Sequence, residues 1–168
     1  MDQIPPGRPA EWVPAGVPTT APFRETGDVL PRFNLAMFTN DQAGAVAAAR
    51  YYIDARNWAG ASNTASAYLA ICDADSCRAD AAAFAKRTKG DRHVEGGRLR
   101  VGGVEVMAPN PSANADSVIR MDVATAAGRV IDANGKTFAK QAAANVTYEV
   151  WAKWSGSMWR VNGVYLAS

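Results

Sequence analysis

The sequence predicts an α+β domain in which helices are followed by a strongly curved antiparallel sheet wrapped on the first helix, giving a cone-shaped arrangement. Three observations predict it. Apolar residues recur at helical spacing between about residues 46 and 58. From about residue 98 onward the spacing changes to period two, interrupted by turn-forming residues. The only two cysteines, Cys72 and Cys77, lie between two helix-like segments, just before that change. With 168 residues, the chain is long enough for one domain with a hydrophobic core plus a tail.

Residues 1–38 carry seven of the nine prolines, Pro5, Pro6, Pro9, Pro14, Pro18, Pro22 and Pro31. Such density forbids regular helix and favours extended chain. The segment reads as a proline-rich tail or spacer, and 39–168 as the folded domain. A spacer would be dispensable for folding. Trp12, Phe23, Leu30, Phe33 and Phe38 argue for some wrapping, because a pure spacer rarely carries so many large apolar side chains.

A first helix starts at Thr39 or Asn40, either of which can cap, with Asp41 in its first turn. Val46, Ala49 and Ile53 form one stripe, with Tyr52 on its shoulder. Tyr51, Asp54 and Trp58 form a neighbouring stripe, and Gly60 ends the helix. A short helix is predicted over 63–70 and a third over 79–89, with Gly90 after its C-terminus. The strands follow. Residues 98–107 alternate around a glycine bulge at Gly102-Gly103. Residues 117–123 and 128–131 are next, and Asp132-Ala133-Asn134-Gly135 is a turn. In 145–154, Val146, Tyr148, Val150, Ala152 and Trp154 share one face; Thr147, Glu149, Trp151 and Lys153 share the other. Residues 159–166 form the last strand. Helices followed by an antiparallel meander are the order of α+β domains. A twisted sheet over the first helix, burying both of its stripes, is the arrangement of the cystatin-like folds related to nuclear transport factor two and to the SnoaL-like enzymes.

Bulk composition narrows the function classes. A formal net charge of +2 gives no whole-protein grip on nucleic acid, so none is expected as a partner. No stretch is long and apolar enough to span a bilayer as a helix. Cys72 and Cys77 enclose four residues, and there is no second Cys or His pair. A structural zinc site needs four ligands, so neither a metal nor another cofactor is expected. A disulfide closing this polar, turn-forming loop is expected instead, worth about 2 kcal/mol, and it implies an oxidising compartment. The alternative is two buried thiols in a cytosolic protein.

Several short runs resemble an uncharacterised family of actinobacterial secreted lipoproteins. They are Ala48 to Ala59 (Ala-Ala-Arg-Tyr-Tyr-Ile-Asp-Ala-Arg-Asn-Trp-Ala), the Cys72/Cys77 pair, Glu95-Gly96-Gly97, Gly128 to Gly135, and Trp159-Arg160-Val161. The resemblance covers about residues 40–164. It implies a nuclear-transport-factor-like fold, export, and membrane attachment only through a lipid-bearing cysteine upstream of this sequence in a longer precursor. It implies no particular activity.

Candidate site residues are few. No serine sits in a nucleophile elbow and no glycine loop resembles a phosphate cradle, so no catalytic residue is assigned. Tyr51, Asp54 and Trp58 are placed at a pocket between the first helix and the sheet, with Glu149 and Trp151 closing it and His93 a further pocket candidate. The alternative makes these aromatics core and ties Asp54 to Arg50. His93, the only histidine, sits in a polar, glycine-flanked stretch that reads as surface. It becomes a catalytic candidate only beside a carboxylate. Arg78, Lys86, Arg87, Lys89, Arg92, Arg98 and Arg100 form a basic cluster, either a patch for an anionic envelope polymer or a solvated face. The reading is a non-catalytic extracytoplasmic domain that binds an envelope protein, an anionic polymer or a small ligand. The alternative is a cone-fold isomerase, dehydratase or cyclase. Alkylation of native protein without reductant is expected to label neither cysteine; labelling of both would contradict the pairing.

Overall fold

A computed structural model describes residues 9–23, 28–109 and 111–167. A short strand pair comes first, β1 (Glu11–Trp12) and β2 (Phe33–Asn34). A 3-10 turn, Leu35–Phe38, leads into α1 (Gln42–Ser62), followed by α2 (Ser66–Leu69) and α3 (Asp75–Arg87). The remaining strands are β3 (His93–Gly96), β4 (Leu99–Met107), β5 (Ser117–Thr125), β6 (Gly128–Ile131), β7 (Thr137–Gln141), β8 (Ala144–Trp154) and β9 (Trp159–Leu166). The fold is α+β, and its paired strands are antiparallel. The strands divide among three sheets, β1-β2, β3-β6-β7 and β4-β5-β8-β9.

Asp41 caps α1, its side chain accepting from the Gly44 amide at 2.8 Å. Gly44 is required for space: a Cβ there would lie 2.4 Å from the Thr39 carbonyl oxygen and 2.7 Å from the Trp159 ring. The helix runs past Gly60, where the sequence pattern ends it, to Asn63. Asn63 adopts the left-handed conformation (φ 59°) that closes a helix, and its amide donates to the Arg92 carbonyl at 3.0 Å. A tertiary bond thus sets the end three residues later than local preference does.

The last helix likewise begins earlier than its expected start at 79. Cys77 lies inside the first turn of α3, and the Cys72–Cys77 disulfide spans Cα atoms 6.1 Å apart. Both cysteines are buried, so the bridge is a core element rather than a clasp on a polar hairpin. It ties α3 to a segment docked on β9, because the Val161 amide donates to the Ile71 carbonyl at 3.0 Å.

The four-stranded sheet presents Ile119, Met121, Val123, Val150, Ala152 and Val161 to the core, all at most 1 % exposed. The expected bulge appears as a register shift between Val101 and Val104. Strands β3 and β7 are not legible as strands. The first spans four residues with no apolar alternation; the second is almost wholly exposed. Both pair with β6, which supplies the register.

The proline-rich segment, over its described residues, is a packed layer and not a spacer. Trp12 meets Phe33 edge-on, and Phe33 meets Tyr51 with ring centroids 4.8 Å apart. The Trp58 indole N–H donates to the Pro18 carbonyl at 2.8 Å, and the Phe23 amide donates to the Ala61 carbonyl at 3.0 Å. Asp28, itself buried, forms an ion pair with Arg98 at 2.8 Å. The sheet therefore covers only the Tyr52–Ile53 side of α1; residues 12–23 and 28–33 cover the Tyr51–Trp58 side. Deleting residues 1–31 uncovers Tyr51 and Trp58 and costs several kcal/mol of apolar burial. Scaled at about 2–4 °C per kcal/mol, the melting temperature is expected to fall by about 10 °C or more. An unchanged melting curve would contradict the packed layer.

Candidate functional site

Between the C-terminal half of α1, helix α3 and the facing edges of the two larger sheets lies a cavity of ≈ 410 Å³. Helix α1 contributes Arg56, Asn57 and Gly60; α3 contributes Asp80, Phe84 and Arg87. Val94, Arg129 and Lys140 come from the three-stranded sheet, and Leu99 and Tyr148 from the four-stranded one. A second space of ≈ 270 Å³ reaches Tyr52, Ile53 and Val164, and Arg56, Asp80, Leu99 and Tyr148 line both.

Two local devices hold the walls. The Asn57 side chain clamps the start of β4, donating to the Leu99 carbonyl at 2.9 Å and accepting from the Leu99 amide at 2.8 Å. At the rim, the end of β3 comes against the start of β6 too closely for side chains. Gly96 has φ +72°, and a Cβ there would lie 2.4 Å from the Ala127 carbonyl oxygen. A Cβ on Gly128 would lie 2.7 Å from the Gly97 nitrogen.

The lining is cationic. Five cations, Arg56, Arg87, Arg98, Arg129 and Lys140, face two carboxylates, Asp28 and Asp80. Both carboxylates are engaged, Asp80 by Arg56 and Asp28 by Arg98. Arg129 turns to Glu95 on β3. Arg87 and Lys140 make no ion pair among the described residues. Tyr68 also lines the cavity. It is only 1 % exposed, the Arg56 guanidinium lies 5.0 Å from its ring centroid, and its hydroxyl proton has no acceptor among the described residues. Burial raises the Tyr68 phenol pKa, with the charges of Arg56 and Arg87 and a hydrogen bond from Arg56 opposing the rise.

None of the six expected pocket residues lines either space. Tyr51 and Trp58 are core, Tyr51 bonded through its hydroxyl to the Ala67 carbonyl at 2.7 Å. Asp54 lies half-buried on their stripe, on the side covered by the N-terminal segment. Glu149 and Trp151 occupy the face of β8 opposite Tyr148. There Glu149 pairs with Arg120 at 2.8 Å, and Trp151 packs on Tyr165 with centroids 4.2 Å apart. His93 is not a surface residue. It is half-buried at the start of β3, stacked flat on Phe23 at 4.1 Å.

The seven basic residues do not share one environment. Arg87 and Arg98 line the cavity, while Arg78 pairs with Asp75. Arg92 sits 3.6 Å over the Phe138 ring, and Lys86, Lys89 and Arg100 are exposed. Arg56, Asn57, Tyr68, Asp80 and Tyr148 were not singled out as site residues by sequence. The available signal was Arg56-Asn57, two polar residues one turn after the apolar Tyr52-Ile53 step.

No protein-family model matches the chain, and a search of curated proteins finds no similar sequence.

Desolvation raises the Asp54 carboxyl pKa, and Arg50 one turn away only partly offsets it. The native state therefore holds this proton more tightly than the unfolded chain. Stability falls as pH rises from about 3.8 through the raised value, and the penalty is complete above it. Asp54→Asn is expected to be more stable than the parent at pH 7 in urea unfolding, with the advantage gone below pH 3.8. A less stable variant at pH 7 would show that the carboxylate is stabilising.

Proposed function

We propose that this chain is a non-catalytic extracytoplasmic domain of the cone-fold type that binds a small anionic ligand in the cavity beside α1. The carrying observation is the charge of the lining: both carboxylates are held by arginine, and Arg87 and Lys140 are left without a counter-charge among the described residues. Unneutralised cations around a concave space favour an anionic occupant.

The location rests on the disulfide. A buried disulfide suits an oxidising compartment. No helix among the described residues is long and apolar enough to cross a membrane. Attachment through a lipid anchor, as in the actinobacterial lipoproteins the sequence resembles, would put the domain in the cell envelope. The packing of α1 across the inner face of the four-stranded sheet supports the cone arrangement. An isomerase, dehydratase or cyclase needs a proton-transfer group facing its substrate. His93 lies outside the cavity, and the lining carboxylates are already paired, so binding is the better supported reading.

A thermal-shift screen across small organic anions, neutral sugars and amines tests the proposal. Ligand at about 100-fold over its dissociation constant adds about 2.7 kcal/mol, or some 5–10 °C for a chain of this size. The anions are expected to raise the melting temperature and the neutral and cationic compounds to leave it unchanged. Stabilisation confined to amines or sugars would overturn the reading.

A further inference from the structure

The cavity is not uniformly cationic. At its α2–α3 side, Tyr68, Arg56 and Arg87 come together, and the group is incomplete as it stands. The Tyr68 side chain is almost fully buried, yet its hydroxyl proton has no acceptor among the described residues. A buried hydroxyl that cannot donate is uncommon and costly. Its polar neighbours cannot take its proton, because guanidinium groups donate and do not accept. The Arg56 guanidinium lies over the Tyr68 ring, and Arg87 is exposed and makes no ion pair among the described residues. The missing partner is an acceptor, and the surrounding charge asks for a negative one.

The walls adjoining this group are apolar. Phe84 and Val94 stand in the same cavity, and Leu99 and Tyr148 continue into the second space toward Ile53 and Val164. We infer that Tyr68, Arg56 and Arg87 form an oxyanion subsite for an amphipathic acid, a carboxylate or phosphate monoester whose apolar part lies along Phe84, Leu99 and Tyr148. Tyr68 donates its proton to one anionic oxygen, and Arg87 pairs with the charge. Arg56, shared with Asp80, supplies a further donor at the branch between the two spaces. The inference rests on the proposal of a ligand-binding cavity and names the chemistry of its occupant.

Calorimetric titration of the intact chain with phenyl phosphate, benzoate, inorganic phosphate and benzyl alcohol tests it. Phenyl phosphate and benzoate are expected to bind, more tightly than inorganic phosphate and than benzyl alcohol. Which of the two acids binds tighter distinguishes a phosphate ester from a carboxylate as the natural head group. Tyr68→Phe and Arg87→Gln are each expected to weaken binding of the preferred acid about tenfold or more, the usual effect of losing a hydrogen bond to a charged group. Tyr68→Phe should remain folded, because the hydroxyl donates to no acceptor among the described residues. Lys86→Gln, an exposed change outside the cavity, should leave affinity unchanged. Equal binding of benzyl alcohol and the acids, insensitive to both variants, would overturn the oxyanion subsite while leaving a ligand-binding cavity. Inorganic phosphate binding as tightly as phenyl phosphate would overturn the amphipathic occupant. Failure of all four probes would overturn both the subsite and the cavity reading.

Discussion

Helix α1 carries buried residues around most of its circumference, among them Ala45, Ala49, Tyr52 and Ile53 toward one side and Tyr51 and Trp58 toward another. A helix with apolar groups on more than one face needs more than one covering layer. The four-stranded sheet supplies the first. The second is the proline-rich chain before the helix, and its hold is specific. Trp58 is fully buried, and its indole N–H is bonded to the Pro18 carbonyl. Burying that indole without an acceptor would cost about 1–3 kcal/mol, so the position of Pro18 and the rotation of α1 about its axis are linked. Once α1 is rotated this way, Arg56, Asn57 and Gly60 fall on the edge that neither layer covers. That edge is the wall of the cavity.

Charge then decides what the edge is for. Asp28 reaches Arg98 from the N-terminal layer, and Asp80 reaches Arg56 from α3, so each carboxylate joins two elements at the cavity wall. These pairs hold the walls in place and remove the carboxylates as free bases. They do not neutralise the lining, since Arg87 and Lys140 make no ion pair among the described residues. A cavity serving only as a packing defect has no reason to gather cations. Concentrating like charge at a concave surface is unfavourable for the empty protein and favourable once an anion enters. The Tyr68 hydroxyl, whose proton has no acceptor among the described residues, carries the same trade between stability and occupancy.

Much of the sheet was legible in the sequence, and the reason is local. In β8 and β9 the apolar alternation agrees with the burial that the core imposes, and Gly102-Gly103 marks its own bulge. The cavity was legible in outline only. The sequence reading put a pocket between α1 and the sheet, but the cavity is lined by the opposite faces of α1 and β8. On α1 the relevant residues are Tyr52, Ile53 and Arg56, on the face of the helix opposite Tyr51, Asp54 and Trp58. On β8 it is Tyr148, next to Glu149. Helical stripes and strand faces can be read from spacing, but which stripe meets the sheet depends on what covers the other. That was the proline-rich segment, whose contacts run over long sequence separations, from Pro18 to Trp58 and from Asp28 to Arg98. Composition alone makes such chain look like a spacer. His93 misled in the same way: its polar neighbours suggested a surface loop, and Phe23, seventy residues earlier, stacks on it and half-covers it.

The central claim is that the uncovered edge of α1 is a binding surface for anions. Backbone amide NMR during titration with a mixture of small organic acids tests it most directly, because it locates binding without presupposing the ligand. The account predicts shift changes confined to Arg56, Asn57, Tyr68, Arg87, Val94, Leu99 and Tyr148, with the Trp151–Tyr165 face of the sheet unmoved. Changes centred on that opposite face, or spread evenly over exposed lysines and arginines, would contradict it.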